Sequence, residues 1–494
     1  LESIESLVGN WLTNITENQM KLNLFGHIFS IKCKKIDIYE TGELFNKIEF
    51  DIENIVSYYL DCMTSILMIV VNLGISVYFI LNISKSLAGI TFITIPMLYF
   101  INFIFQKKVY MMNQKIRIFT DKYYSFLNES LSEVIQIKAF GLENIVSQRY
   151  KEYLKERLRI LLKKEVLLQK IGFIRGGSGN IINVIILFIA GMSIVAGNMT
   201  IGMLVSFCSY MEKFFEALSK IMELNLNKQE VVVSYERMNE ILNSEKEENN
   251  GIILKEPIQK IQFRQVIFGY KDNLVLKKID LSIENPGLYS LVGSNGCGKS
   301  TIFKLLERFY ECKVGKIEIN QVPINKYSAS DLRNNIVYMP KKPFFLQGTI
   351  MDNLKLGQNE ISDLEVIEVC KKVGIHSDIQ KLEKGYYELI ESGGENFSSG
   401  QKQKLGFVRV LLKKADIVLL DEVTSDLDGE AERQICNQIE EIAKKAIVLN
   451  IAHKPESIRR SKKVFFIQGG KIVAEGTHKA LMKNCVDYKK IFAN

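Results

Sequence analysis

Two back-to-back windows without charge, in the first half of the chain, most constrain its fold. Cys62–Ser84 holds 23 consecutive uncharged residues, and after Lys85 another 21 run to Gln106. A helix of about 20 apolar residues crosses the hydrocarbon core of a bilayer. A third stretch, Gly176–Met211, has 36 uncharged residues. At about 1.5 Å per residue it would reach roughly 54 Å, too long for one crossing. Gly197-Asn198-Met199-Thr200 supplies the break. Four spans are therefore expected, at about 62–84, 86–106, 180–197 and 201–224. The competing reading is buried soluble helices, but those are rarely so long and so free of charge.

Basic residues set the orientation. The short turns between spans carry only Lys85, whereas the connector 106–170 carries Lys107, Lys108, Lys115, Arg117, Lys122, Arg149, Lys151, Lys155, Arg157, Arg159, Lys163 and Lys164. Positive charge stays on the cytoplasmic side, so the connector faces inward. The connector is amphipathic and nearly free of glycine and proline up to Gly141, which predicts long helices broken at Ala139–Glu143. Glu212, Lys213 and Glu216 fall midway along the last window; the helix leaving the bilayer there explains them as well as contact with cargo does.

The net charge of +8 fits that basic inner face. Nucleic acid is not an expected partner, because no Lys/Arg run is interleaved with stacking aromatics. The eight cysteines are scattered without a CxxC pair and there are four histidines, so neither a zinc site nor a disulfide framework is suggested. Asn243–Asn250 is polar, and a linker over 243–256 separates the greasy half from a soluble half over 257–494.

The soluble half carries phosphate chemistry. Leu288–Val292 reads as a short apolar strand, followed by Gly293-Ser294-Asn295-Gly296-Cys297-Gly298-Lys299-Ser300-Thr301. A glycine-rich turn between strand and helix offers backbone N–H groups to phosphate oxygens. Lys299 suits the β- and γ-phosphates, and the Ser300 hydroxyl suits Mg²⁺. Ile417–Leu420 is a second buried strand, ending in Asp421-Glu422. Asp421 suits Mg²⁺, directly or through water, and Glu422 suits a general base for an attacking water. Taken alone, an Asp-Glu pair after a strand is more often solvated loop.

Together with Ser398-Ser399-Gly400-Gln401 and His453, these motifs give a chain that resembles an ATP-binding cassette transporter of the exporter type, a half-transporter with fused membrane and ATPase domains. The resemblance implies an all-α transmembrane domain followed by an α/β P-loop nucleotide-binding domain. It implies ATP and Mg²⁺ as cofactors, membrane lipid around the spans, an unidentified transported substrate, and a second half-transporter, identical or not. It further implies that Tyr270 stacks on adenine and that Ser398–Gln401 contact ATP held by the opposite subunit. Ser425-Asp426-Leu427-Asp428 would communicate between the two sites, and His453 would contact the γ-phosphate. Thr41–Leu44 and Ile137–Gly141 lie where the family's coupling helices lie. A bacterial plasma membrane with the ATPase inside is the expected location.

Three departures stand out. Four spans are visible where the exporter type has six, so the transmembrane domain over 1–242 is expected to be incomplete at its N-terminal end. Lys341 stands where the family has glutamine; an ammonium has no acceptor and cannot ligate Mg²⁺. Ser399 replaces a glycine with another small residue. The first two keep open the alternative of a truncated or degenerate protein that binds ATP without efficient transport. A soluble cassette ATPase acting on nucleic acid is the other rival, opposed by the long uncharged windows. Finally, a helix N-terminus can lower a thiol pKa. Cys297 is therefore expected to react with maleimide unless ATP covers it, the alternative being a small residue without chemical role.

Overall fold

The computed structural model describes residues 2–492 except 272, 357 and 359. Its chain forms two compact units, Leu1–Ile31 with Lys35–Lys246, and Lys32–Lys34 with Glu247–Asn494.

The first unit is helical. Its main elements are α1 (Glu2–Ser30), α2 (Ile52–Ile83), α3 (Lys85–Phe92), α4 (Thr94–Ser132), α5 (Val134–Ala139), α6 (Glu143–Val195) and α7 (Ile201–Leu242). Local chemistry sets the breaks. Ser84 adopts an extended backbone and its hydroxyl accepts from Leu87 N, capping α3. Thr200 does the same for α7 through Met203 N. Gly141, at φ +64°, turns the chain between α5 and α6, a conformation that suits a residue without Cβ. Two breaks lack such a signal: Ile93 separates α3 from α4, and Glu133 separates α4 from α5.

Two apolar clusters hold this unit. Ile80, Leu87, Ile186, Ala190, Phe207 and Phe214 pack where α2, α3, α6 and α7 meet. Leu24, Ile52, Ile55, Val231 and Ile241 form the second. The outward side of α2 is apolar as well: Met63, Ile66, Leu67, Met68 and Val70 are all exposed. A soluble protein of this length would bury such a stripe, because water penalises each exposed side chain. Beside the second cluster lies a buried ionic network. Asp51 is fully buried and faces Arg117 at 3.6 Å and Arg237 at 3.5 Å. Arg237 also reaches Asp121 at 2.9 Å, and Ser234 donates to Asp51 at 2.9 Å.

The second unit is built on two main sheets, with a small two-stranded one over 348–349 and 389–390 beside them. β1 (Lys260–Tyr270), β2 (Asn273–Glu284), β4 (Val314–Ile319) and β5 (Val322–Pro323) form an antiparallel sheet in the order β2-β1-β4-β5. β3 (Gly287–Gly293), β6 (Ile336–Met339), β7 (Ile417–Asp421), β8 (Ile447–Ile451), β9 (Lys463–Gln468) and β10 (Lys471–Gly476) form a second in the order β10-β9-β3-β8-β7-β6. All its pairs are parallel except β9 with β10. β7 and β8 are buried at every position, which is why they read as largely apolar runs, with Asn450 inside β8 and Asp421 ending β7, rather than alternating ones. Register brings Leu291 opposite Ile451 and Ile451 opposite Asp421, so the carboxyl ends of β3, β8 and β7 open on one edge. Ligands of open parallel sheets bind beyond that edge.

Candidate nucleotide site

Gly293 ends β3, and α8 (Lys299–Leu306) begins six residues later. Between them Ser294–Gly296 are exposed while Cys297–Lys299 are buried. The turn needs its glycines. A Cβ on Gly293 would meet Ile467 O at 2.2 Å. One on Gly298, at φ +104°, would meet Leu276 Cδ2 at 2.4 Å. Lys299 is 6% exposed, and its ammonium folds over the turn to donate to Gly293 O at 2.7 Å and Ser294 O at 3.0 Å. A buried ammonium at a glycine-rich turn that opens a helix is a fitting cradle for phosphate. Tyr270, at the end of β1, packs edge-on against Tyr310 and lies under the Lys304 ammonium at 5.4 Å.

Asp421, at the end of β7, is buried and accepts from Tyr338 OH at 3.3 Å and from the Ser300 hydroxyl. Burial raises its pKa against those two hydrogen bonds. The Ser300–Asp421 contact joins the two oxygen donors that Mg²⁺ would use, so the residues present fit that ion.

Glu422 follows in a left-handed backbone at φ +53°, uncommon for a residue with a side chain. Its N–H donates to Ile451 O at 3.1 Å, which fixes the turn. Both carboxylate oxygens are engaged. Lys341 Nζ lies 2.5 Å from Oε2, and His453 Nε2 lies 3.0 Å from Oε1. Burial pushes the Glu422 pKa up, but Lys341 and His453 outweigh it and hold the carboxyl below its ordinary value. The same contact raises the Lys341 pKa. Asn295, Lys341, Glu422, Ser425 and His453 line one open cleft of about 260 Å³. Tyr270 and Ser398–Gln401 are not among its lining residues.

Ser398 caps α9 (Ser399–Lys413): its hydroxyl accepts from Gln401 N at 3.2 Å, and Gln401 Oε1 accepts from Ser398 N at 3.0 Å. This reciprocal cap holds the loop in one geometry. A Cβ on Gly400 would meet Asp426 O at 3.2 Å, so α9 starts against the 425–428 loop. Three residues that tie these parts together carry no sequence signal of their own. Gln403, 1% exposed, donates to Ser425 Oγ at 3.1 Å. Lys454 donates to Thr424 O at 2.8 Å and to Glu432 at 3.1 Å. Arg409 donates to Asn353 O at 2.7 Å and Phe344 O at 2.5 Å, anchoring the loop behind Lys341. Each is a long polar side chain on a helix or loop, which reads as solvated surface until the partner backbone is placed.

Cys297 departs from expectation. It is 7% exposed and burial pushes its thiol pKa up, against the opposing Lys299 charge and backbone hydrogen bonds. The helix N-terminus is there, but desolvation wins, and the small-residue alternative stands.

Two family models match the chain: the ABC transporter transmembrane region over residues 1–218 and the ABC transporter model over 276–425. A curated relative, the uncharacterized ABC transporter ATP-binding protein YknV of Bacillus subtilis (strain 168), is 27% identical over 486 residues, covering 96% of this chain and 79% of its own. An ATP-dependent lipid A-core flippase of Syntrophus aciditrophicus (strain SB) is 27% identical over 454 residues, covering 91% and 76%. The fold matches a bacterial Atm1-family ABC exporter solved with ATP bound, at a TM-score of 0.92 and 22% identity over 100% of this chain and 88% of that one. A helical membrane region and a phosphate-cradling ATPase fused in one polypeptide, in that order, are what both matches share, and the chain belongs to the ABC transporters of the exporter type, which drive export with ATP hydrolysis.

Proposed function

We propose that each ATP is held between Lys299 and the 293–301 turn of one subunit and Ser398–Gln401 of the second half-transporter. The start of α9 supports this: its reciprocal cap fixes the loop, Ser398 and Ser399 are exposed, and neither lines the cleft that Asn295, Glu422 and His453 share. Tyr270 stacks on the adenine. Ser300 and Asp421 hold Mg²⁺, which neutralises phosphate charge when bound. Glu422 takes the proton of the attacking water, and His453 orients the carboxylate and the γ-phosphate. The 425–428 loop, tied to α9 through Gln403, carries the state of one site to the other. The membrane spans lie at 62–84, 86–106, 180–197 and 201–224, and the 243–256 segment links them to the ATPase. A bacterial plasma membrane with the ATPase inside fits the basic connector 106–170.

One observation carries the catalytic assignment: the strained Glu422 backbone aims its carboxylate into a cleft shared with His453 and the tip of the phosphate turn. The test is ATP hydrolysis by the full chain in lipid nanodiscs. Removing a positioned base costs about 10²- to 10⁴-fold. Glu422→Gln should lose that much turnover while still binding ATP. Retention of more than a third of the wild-type rate would remove Glu422 from the role.

A further inference from the structure

β6 reads Ile336-Val337-Tyr338-Met339, apolar but for one phenol hydroxyl. Val337 and Met339 pack into one apolar cluster, and Tyr338 packs against the other, with Phe303 and Leu419. A parallel strand covered on both faces favours aliphatic side chains, and a tyrosine there brings a hydroxyl that needs a partner. Register sets Tyr338 opposite Leu419 of β7. Leu419 and Asp421 stand two apart on one strand, so their side chains and that of Tyr338 point to the same face. On that face the Tyr338 ring meets Phe303 of α8 edge-on, with centroids 5.9 Å apart, and its hydroxyl donates to Asp421 Oδ2 at 3.3 Å. Tyr338 therefore bridges the helix that follows the phosphate turn and the carboxylate that suits Mg²⁺.

The sheet holds the Asp421 backbone, opposite Ile451 of β8. Rotation of the carboxylate is a separate matter. Asp421 is 7% exposed, and two hydroxyls donate to its side chain, from Ser300 and from Tyr338. The two differ in kind. Ser300 is one of the oxygens that would hold the ion. Tyr338 acts on the ion only through the carboxylate it orients. Groups that orient a metal ligand in this way are worth about 10- to 100-fold in metal affinity. Lys341, three residues beyond Tyr338, has no acceptor to offer, and its ammonium lies on Glu422. With no oxygen from that position, the aim of Asp421 carries more of the affinity.

We propose that Tyr338 is a positioning residue for the metal: by fixing the Asp421 carboxylate it sets how tightly this chain holds the divalent cation that accompanies ATP. The inference rests on Ser300 and Asp421 being the metal donors. The test is binding of a fluorescent, non-hydrolysable ATP analogue to the full chain in lipid nanodiscs, once in EDTA and once in excess Mg²⁺. Tyr338→Phe keeps the ring against Phe303 and removes only the hydroxyl. It should weaken binding of the Mg²⁺-loaded analogue about tenfold, the lower end of the range for such groups, and leave metal-free binding within about twofold of wild type. Asp421→Asn should weaken the Mg²⁺-loaded analogue at least as much. Equal weakening with and without Mg²⁺ in Tyr338→Phe overturns the proposal, because the hydroxyl would then be holding the fold of the nucleotide site. Unchanged Mg²⁺-loaded binding in Tyr338→Phe, with Asp421→Asn impaired, overturns it as well and leaves Asp421 as a metal donor. Unchanged Mg²⁺-loaded binding in Asp421→Asn removes the metal reading of Asp421, and the role of Tyr338 with it.

Discussion

Lys341→Gln is the substitution whose outcome the geometry decides most sharply. Lys341 Nζ sits 2.5 Å from Glu422 Oε2, and the Lys341 side chain is 58% exposed. Two effects oppose each other on substitution. Freeing one carboxylate oxygen leaves Glu422 held by His453 alone and available to a water. Removing the ammonium takes a positive charge from the cleft that Asn295, Glu422 and His453 share. The first effect is bounded by the strength of the pair. An exposed ion pair shifts an equilibrium by roughly 1.5- to 5-fold, because water screens the charges and the long lysine side chain loses entropy in holding its geometry. Glutamine keeps the reach, and its carbonyl adds an acceptor that lysine lacks. ATP turnover by Lys341→Gln in nanodiscs should therefore rise about 2- to 5-fold. Lys341→Arg, which preserves the pair, should stay near wild type, and Lys341→Met, which frees Glu422 without adding an acceptor, should rise less than Lys341→Gln. A tenfold fall in both Lys341→Gln and Lys341→Met would refute the reasoning, since it would show the ammonium acting on the reaction rather than restraining the base.

Arg237→Leu leaves Asp51 buried beside Arg117 alone, at a cost of about 3 kcal/mol. The apparent unfolding temperature of the first unit should fall by roughly 6–12 °C, and pairing it with Asp51→Asn should restore most of the loss. Glu307, 4% exposed, has its pKa pushed up to about 7 by burial, against the Lys413 and Arg333 charges. A raised carboxylate pKa means the folded state binds the extra proton between its ordinary 4.5 and 7, so folding gains as pH falls through that window and loses as it rises. Glu307→Gln should therefore raise the unfolding temperature at pH 8 and change it little at pH 5. Cys297 should label with maleimide at pH 7 more slowly than Cys33 or Cys62, both partly exposed; equal rates would contradict its burial.

Breaks in the helices were legible where a residue type imposes them. Ser84 and Thr200 offer hydroxyls as caps, and Gly141 takes a left-handed backbone, so the chain declares those ends. Ile93 and Glu133 declare nothing, because the break there depends on packing that only the assembled helices create. The same contrast separates Asp421, readable at the end of an apolar run, from the Asp51–Arg117–Arg237–Asp121 network. Those four come from three helices far apart in sequence, and each alone looks like a solvated charge.

Cys297 and Lys341 show where residue chemistry read from position alone stops. For Cys297 the nearby helix N-terminus suggests a reactive thiol, but the turn folds the sulfur inward beneath Gly293, and desolvation exceeds the dipole. For Lys341 the missing acceptor was visible in the sequence. What the ammonium does instead depended on the backbone of Glu422. Only at φ +53°, with its N–H tied to Ile451, does that carboxylate turn toward the loop that Arg409 anchors behind Lys341. The substitution therefore does not simply delete a ligand. It places a counter-ion beside Glu422, the proposed general base, whose carboxylate meets Lys341 at one oxygen and His453 at the other. Parting Lys341 from Glu422 leaves more of that carboxylate open to water, and the loop behind Lys341, packed on Gly406 of α9 through Pro343, is the element placed to do it.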